Sequence, residues 1–375
     1  MVTVQRLELV EKAERLFIGI DLSKTLLIAC QHILPTNYNM FLYLFNNGLK
    51  PENTYLLGKC YSTDNSAMQA FIEKGVKVHR SSCFFDSHAP FDEAYAKNAH
   101  NLVSGIINKV SLKKYQKVII LDDGGYLIEA VNKILYRHPN VIGIEQTSSG
   151  YDKIKCLNLK FPVINVARSF AKLKYESPFI AEQFVYNLDY ELKQIGKRPK
   201  NILILGNGAI GGEIAKRLKN KFNIKIYDEL SHKSDFRSFE DLKEQIELFD
   251  LVIGCTGKNS LPLSFYCSLK SGTVLVSASS SDREFEAYSL RRLEEKYNHC
   301  HFNLKIRDIL LLNSGFPLTF TKHCLGLENK KIQLTRALIF SATCLALIKR
   351  YKKGIVELDS KTQDALIKGN EKIVS

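Results

Sequence analysis

A chain of 375 residues is too long for one comfortable hydrophobic core, so two domains are expected. With 45% hydrophobic and 25% charged residues it has the make-up of an ordinary soluble globular protein, and its most apolar helical stretch, Ala337–Ile348, is too short to cross a bilayer and carries Ser341 and Thr343. The net charge of +14 is not matched by a helix-turn-helix, zinc-finger or aromatic RNA-binding signature, so specific nucleic-acid binding is not expected. The lysines at 193–200 and 216–225 read first as a solvated basic surface, and next as attraction for an anionic substrate or cofactor.

Nine cysteines, an odd number without a Cys-x-x-Cys pair, argue against a disulfide framework and for a reducing cytoplasm. No apolar signal core follows the basic residue of the first segment, so export is not expected. Soft ligands crowd only at His299-Cys300-His301, whereas a closed metal site needs about four ligands; a structural role and no metal are expected.

In chain order, Phe17–Ile20, Leu26–Cys30, Thr54–Leu57, Val76–His79, Val118–Leu121, Val141–Ile144 and Val163–Val166 read as strands. Thr36–Asn47, Asp64–Lys74 and Ala94–Val110 read as helices among them, which implies parallel βαβ units. The polar run Gly196-Lys197-Arg198-Pro199-Lys200 marks a boundary. A second series follows: strand Ile202–Leu205, helix Ile210–Asn220, strand Ile224–Tyr227, helix Phe239–Leu248, strand Leu251–Ile253, strand Thr273–Val276 and helix Glu284–Tyr297. The Leu334–Arg350 helix comes last. The expected fold is α/β, a doubly wound Rossmann NAD-binding domain inserted in a second α/β substrate domain. Its expected parts are 1–190 for the substrate domain, 191–325 for the NAD-binding domain, 326–355 for a helix returning to the substrate domain, and 356–375 for a C-terminal tail.

The motif with the clearest chemistry is Gly206-Asn207-Gly208-Ala209-Ile210-Gly211, preceded by a strand and followed by an amphipathic helix. Gly206 permits a tight turn, Gly208 lets the backbone approach a pyrophosphate, and Gly211 allows close helix–strand packing. The phosphates would lie on the helix N-terminus, beside Ala209 and Ile210, where free amides and the dipole favour anions. Asp228 closes the second strand, 22 residues after Gly206; its carboxylate would bind ribose hydroxyls and repel a 2′-phosphate, which favours NAD over NADP. Thr256, in Cys255-Thr256-Gly257, ends a later strand where cofactor contacts fall in such folds, although a plain turn fits nearly as well.

Upstream of the glycines stand Leu121-Asp122-Asp123-Gly124-Gly125, Gly143-Ile144-Glu145-Gln146-Thr147-Ser148-Ser149-Gly150, Pro162-Val163-Ile164-Asn165-Val166 and Lys172-Leu173-Lys174-Tyr175-Glu176. In this order and spacing the series resembles the adenosylhomocysteinase (S-adenosylhomocysteine hydrolase) family, most clearly over 118–260. Ile309–Gly315 looks like the strand near the end of that family's cofactor domain. The resemblance implies NAD held tightly while the 3′-hydroxyl of a substrate ribose is oxidised, a 5′ thioether is eliminated, water adds and the alcohol is restored, a place in one-carbon metabolism. It assigns catalytic roles to Asp123 and Lys172, whose amine can act as a base if neighbours lower its pKa. It assigns substrate contacts to Thr36, Asn165, Gln146 and Glu176, and NAD contacts to Thr147, Ser148 and Ser149, where the family has three threonines.

The departures are as informative. Gln146 replaces the glutamate that grips the substrate ribose, and glutamine cannot act as a base. Glu176 and Ser177 replace an aspartate and an asparagine. The family's histidine two positions before the pocket threonine aligns with Leu34, with His32 nearby on another register. Ser279-Ser280-Ser281-Asp282 replaces a Gly-His-Phe-Asp loop, Thr319 replaces a nicotinamide-side asparagine, and the end at Lys372-Ile373-Val374-Ser375 lacks the family's tail. Groups that hold NAD and touch a ribose hydroxyl are mostly kept, and those for elimination and adenine recognition are mostly changed, which points away from ordinary hydrolysis of adenosylhomocysteine.

The expectation is therefore a divergent NAD-dependent enzyme acting on a nucleoside or sugar derivative, with coupling to elimination or hydrolysis of a thioether nucleoside left open. It is expected in the cytoplasm, without a membrane partner, and as a homo-oligomer with a dimer favoured. The alternative is a catalytically silent NAD-binding regulator or scaffold on the same fold. A 2-hydroxy-acid dehydrogenase would want an Arg and a His–Glu pair, for which Arg283, Arg307 and His323 lack convincing spacing.

Overall fold

The computed structural model describes residues 2, 4–134, 140–320 and 331–374. Contacts divide the chain into two compact units, Met1–Phe84, Glu93–Glu176 and Gly326–Ser375 in the first, Phe85–Asp92 and Ser177–Leu325 in the second. The chain runs α1 (Glu8–Arg15), β1 (Thr25–Ile33), α2 (Pro35–Asn46), β2 (Thr54–Thr63), α3 (Asn65–Glu73), β3 (Lys77–Val78), α4 (Phe91–Lys109), β4 (Lys117–Asp122), α5 (Tyr126–Ile134), β5 (Val141–Glu145), α6 (Ser148–Ile154) and β6 (Pro162–Asn165). Helix α7 (Phe170–Gln194) carries it into β7 (Asn201–Leu205), α8 (Ala209–Leu218), β8 (Asn223–Tyr227), α9 (Phe239–Gln245), β9 (Leu251–Gly254), β10 (Val274–Ser277), α10 (Ala287–Arg291), β11 (Leu304–Ile306) and β12 (Ile309–Leu311). It returns as α11 (Gln333–Ile348), β13 (Gly354–Glu357) and α12 (Ser360–Val374), so the residues given above as a C-terminal tail form a strand and a helix.

In the first unit the strand order is β13-β6-β5-β4-β1-β2-β3, and every pairing is parallel. Helical crossovers cover both faces of such a sheet, which is why β1 is buried along its whole length and reads as an apolar run from Leu26 to Cys30, with the polar Gln31 and His32 following it. The order reverses between β1 and β4, and the crevice outside the carboxyl ends at a reversal is where open α/β sheets bind ligands. Helix α11 is buried from Gln333 to Ala346; its apolar residues enter the core, and Gln333, Thr335, Arg336, Ser341 and Thr343 are buried with them.

The second unit has the order β11-β12-β10-β9-β7-β8, parallel except for the β11–β12 pair. Strand alternation splits its core in two. Leu203, Leu205, Val252 and Leu275 enter one cluster, while Ile202, Ile204, Ile253 and Val276 enter the other, on the opposite face. The α/β class and the parallel βαβ plan are thus as expected from the sequence.

One expected element is not formed and another is cut short. Phe17–Ile20 is a turn rather than a strand, because Leu16 and Phe17 bond back to Ala13 and Glu14 and Gly19 then reverses the chain at φ +81°. The expected helix Glu284–Tyr297 shrinks to α10, because Glu286 is left-handed at φ +46° and Glu284 is drawn into the interior by polar partners.

Phe340 is fully buried in the core of the first unit. Phe340→Ala is expected to cost about 3–5 kcal/mol, read as an earlier urea transition of the full chain.

Candidate functional site

At the reversal of the first sheet, the carboxyl ends of β1, β2, β4 and β5 bring together His32, Lys59, Asp123 and Gln146. Strands β1 and β2 pair regularly as far as Gln31 and Gly58, and resume only at Ile33 and Thr63. This irregularity re-aims the intervening side chains, as bulges do. Lys59, 3% exposed, forms a buried ion pair with Asp123. On the other carboxylate oxygen, Gln146 Nε2 donates at 2.5 Å and His32 Nε2 lies 3.4 Å away. His32 Nδ1 is 2.5 Å from Ser62 Oγ; a proton on Nε2 would satisfy both contacts of the ring.

Burial alone would raise the Asp123 pKa, but Lys59, His32 and Gln146 outweigh it and hold the carboxyl well below its usual range. Burial opposes the Lys59 ammonium too, yet Asp123 holds its pKa well above the ordinary value. Burial pushes His32 down to about 3, against the pull of Asp123, and Lys59, Arg336 and Lys172 push it the same way. The imidazole is therefore neutral at physiological pH.

Two further acids stand beside this cluster. Glu145 accepts from Gly124 N at 3.2 Å, Gly125 N at 2.9 Å, Thr147 N at 2.8 Å and Thr147 Oγ1 at 2.7 Å. Asp122 accepts from Asp123 N at 2.9 Å and Ile128 N at 2.8 Å. Burial raises Asp122 to about 6 and, with Asp122 adding to it, raises Glu145 to about 8. Both shape the loops that carry Asp123 and Gln146.

The other residues singled out in this unit fall as follows. Lys172 and Glu176, one helical turn apart on α7, form an ion pair, and Glu176 accepts from Thr335 Oγ1 at 3.1 Å. Thr36 lies in the first turn of α2 and meets buried Arg336 Nη2 at 3.2 Å. Gln146, expected at a substrate hydroxyl, is engaged at both ends, since its oxygen accepts from Gln31 Nε2 at 3.0 Å. Asn165 donates to Glu357 at 3.1 Å and accepts from Arg168 N at 3.0 Å. Thr147 caps α6 by accepting from Gly150 N at 3.1 Å, with Ser148 and Ser149 as the first residues of that helix.

Sequence reading passed over Lys59 altogether and set His32 aside for Leu34. The geometry reverses the second choice: Leu34 precedes α2 without a side-chain cap, whereas His32 faces Asp123. Lys59 sits inside a register shift, for which local pattern has no signal; a lysine amid an apolar strand run was the one available hint.

In the second unit, Gly206 turns the chain at φ +98° at the end of β7, and Gly208 caps α8. A Cβ on Gly211 would lie 1.9 Å from the Gly206 carbonyl, so close helix–strand packing demands glycine there. A Cβ on Gly208 would meet nothing within 4 Å. That position instead borders a cavity of about 450 Å³, lined by Gly206, Gly208, Asp228 and Thr256 among others. Asp228 braces the turn by accepting from Asn207 N at 2.7 Å and Leu230 N at 2.9 Å. Ala209, Ile210 and Gly211 supply the first helical amides, which have no intrahelical acceptor and suit an anion.

Thr256 is held from behind by a residue that sequence reading missed. Buried Glu284 accepts from Thr256 Oγ1 at 2.8 Å, Gly257 N at 2.6 Å and Ser279 Oγ at 2.5 Å. The serine cluster is likewise structural: Ser281 donates to Asp92 at 2.9 Å, and Asp282 pairs with buried Arg291 at 2.6 Å. Arg283 pairs with Asp92, Arg307 is left-handed at φ +52°, Thr319 is buried, and His323 lies outside the described residues. Among the described residues, no group of three or more His, Cys, Asp or Glu is placed to hold a metal ion. No helix among them is long and apolar enough to cross a membrane.

No family model matches the chain. It is 38% identical over 333 residues to an uncharacterized protein of Mycobacterium tuberculosis, covering 88% of this chain and 65% of that protein. It is 24% identical over 267 residues to the S-inosyl-L-homocysteine hydrolase of Methanococcus maripaludis, covering 66% of this chain and 59% of the hydrolase. It is 23% identical over 255 residues to the adenosylhomocysteinase of Sulfurisphaera tokodaii, covering 65% and 58%. The chain thus spans about two thirds or less of the length of these relatives, and its relationship to the hydrolases is distant and partial.

Folding raises the pKa of Asp122 and Glu145, so the folded state keeps protons that the unfolded chain gives up. The stabilisation is complete below the ordinary carboxylate range and is lost as pH rises through about 6 and about 8. Glu145→Gln is expected to flatten the upper part of this decline in urea midpoints measured across pH. An unchanged slope would contradict the assignment.

Proposed function

We propose that the second unit holds NAD and that the protein uses it to oxidise and then re-reduce a hydroxyl of a nucleoside or sugar derivative, as a divergent relative of adenosylhomocysteinase. One observation carries this reading: the glycine turn after β7 leaves open space at Gly208, beside a cavity that Asp228 and Thr256 also line. Such a volume suits a ligand pocket. The α8 amides would take the diphosphate, and Asp228 would bind the adenosine ribose and repel a 2′-phosphate.

When bound, NAD supplies the reversible two-electron oxidation of an alcohol. The first unit supplies groups that orient the substrate and handle its protons. Asp123, ionised, would accept a hydrogen bond from a substrate hydroxyl. Lys172, paired with Glu176, would hold or release a proton at its ammonium, with the carboxylate as the nearest relay. Both belong to one electrostatic neighbourhood, since His32 responds to Asp123 and to Lys172. The names of the two hydrolase relatives favour a thioether nucleoside as substrate class. The departures at Gln146 and in the serine cluster favour one other than adenosylhomocysteine.

NAD is expected to raise the melting temperature by linkage, more than NADP does. A Cβ at Gly208 meets nothing within 4 Å, so Gly208→Ala should keep the ligand-free melting temperature and weaken the NAD response. With a panel of nucleosides and sugars that includes S-inosylhomocysteine and S-adenosylhomocysteine, the wild type should give a reduced-nicotinamide absorbance signal that Lys172→Ala abolishes. NAD binding with no signal across the panel would favour a catalytically silent regulator or scaffold. No response to NAD would overturn the reading.

A further inference from the structure

The carboxylate of Asp123 is bound on both oxygens from within the first unit, and the donors are connected. Lys59 Nζ reaches Oδ1, and Gln146 Nε2 donates to Oδ2 at 2.5 Å. The Gln146 oxygen accepts from Gln31 Nε2 at 3.0 Å, and the Gln31 oxygen accepts from Asn37 Nδ2 at 3.2 Å. All four side chains outside Asp123 are buried, from 0% exposed for Asn37 to 4% for Gln146. An ionised carboxylate only accepts, so each carboxamide in this row turns its NH2 group toward Asp123. The row is therefore directional, with a positive charge at one oxygen and a file of aligned amides at the other.

Resting on the reading in which Asp123 meets the substrate, we propose that Lys59 and Gln146 are positioning residues that clamp Asp123 as an oriented, ionised acceptor, so that the substrate group it meets is a hydroxyl donor. Glutamine at 146 then has a physical reason. Glutamate there would set a second carboxylate at hydrogen-bond distance from Asp123 and remove the donor. The remaining ionisable groups facing this clamp include Asp122 on β4, Glu145 on β5, Cys30 and His32 on β1, Tyr61 on β2 and Tyr95 on α4. Cys30 Sγ is 3.0 Å from Tyr95 OH and donates to the Asp123 carbonyl at 3.4 Å. None of them lies between Lys59 and the carboxylate.

The test is a pH titration of the full chain carrying aspartate labelled with carbon-13 at the side-chain carboxyl, with Asp123 assigned by comparison with Asp123→Asn. In the wild type the Asp123 signal should not titrate above about pH 4. In Lys59→Met it should titrate at least about two pH units higher, and Lys59→Arg should restore the wild-type behaviour. Should Lys59→Met not fold, Gln146→Glu supplies the second arm, with the Asp123 signal shifting upward as two carboxyls share a proton. A folded variant of either kind whose Asp123 titrates as in the wild type overturns the clamp.

With any nucleoside that yields a reduced-nicotinamide signal, the acid limb of kcat/KM should follow the titration, moving up in Lys59→Met and returning in Lys59→Arg. An acid limb indifferent to residue 59 would also overturn the proposal. The titration needs no substrate, so it decides the clamp even if NAD binds without turnover, an outcome that counts only against the redox reading.

Discussion

The ion pair between Lys59 and Asp123 occupies a place where neither partner would stay charged alone. Taking one charge out of water costs several kcal/mol even after relaxation, and Lys59 and Asp123 are both buried. The compensation comes from topology. The order of the first sheet reverses between β1 and β4, and four strand ends converge there to bring a cation, one carboxamide and a neutral imidazole onto one carboxylate, with a second carboxamide, Gln31, behind the first. For Asp122, Lys153 and Lys59 pull the other way without overcoming burial. Burial drives Asp122 and Glu145 upward, and they serve as acceptors for the backbone amides of the loops around Asp123. The carboxyl ends of one sheet thus hold one carboxyl low, at Asp123, and two raised, at Asp122 and Glu145, which anchor loops.

The second unit solves a different problem by similar means. Its cavity borders the backbone at Gly206 and Gly208 on one side and side chains such as Tyr227, Asp228 and Phe239 on the other. Asp228 fixes the turn after β7 by holding the Asn207 amide, and Glu284 fixes the loop after β9 by holding Thr256 and the Gly257 amide. Two carboxylates anchor two loops, and the space between those loops is the cavity.

Much of this was legible in the sequence, for identifiable reasons. Buried parallel strands must be apolar runs, and Ile202–Leu205 or Val118–Leu121 announce themselves as such. The glycine spacing with Asp228 is a local motif, readable because a single turn contains it. What local pattern could not deliver was the partner of Asp123. Lys59 is 64 residues away along the chain, inside a stretch where β1 and β2 lose register, and only tertiary pairing brings it in. His32 was misjudged because spacing to Thr36 was counted along the chain, whereas the irregularity in the strand decides which side chain faces the crevice. Phe17–Ile20 and the segment after Glu284 failed where a left-handed residue, Gly19 or Glu286, interrupts a run whose composition alone would have continued.

The central claim is that the turn at Gly206–Gly211 holds a nicotinamide dinucleotide. The most direct measurement is the mass and absorbance of whatever small molecule is released when the purified, untreated protein is denatured. NAD or NADH released near one equivalent per chain is the predicted result. A protein that releases neither, and that takes up neither when either is added at high concentration before denaturation, would contradict the claim.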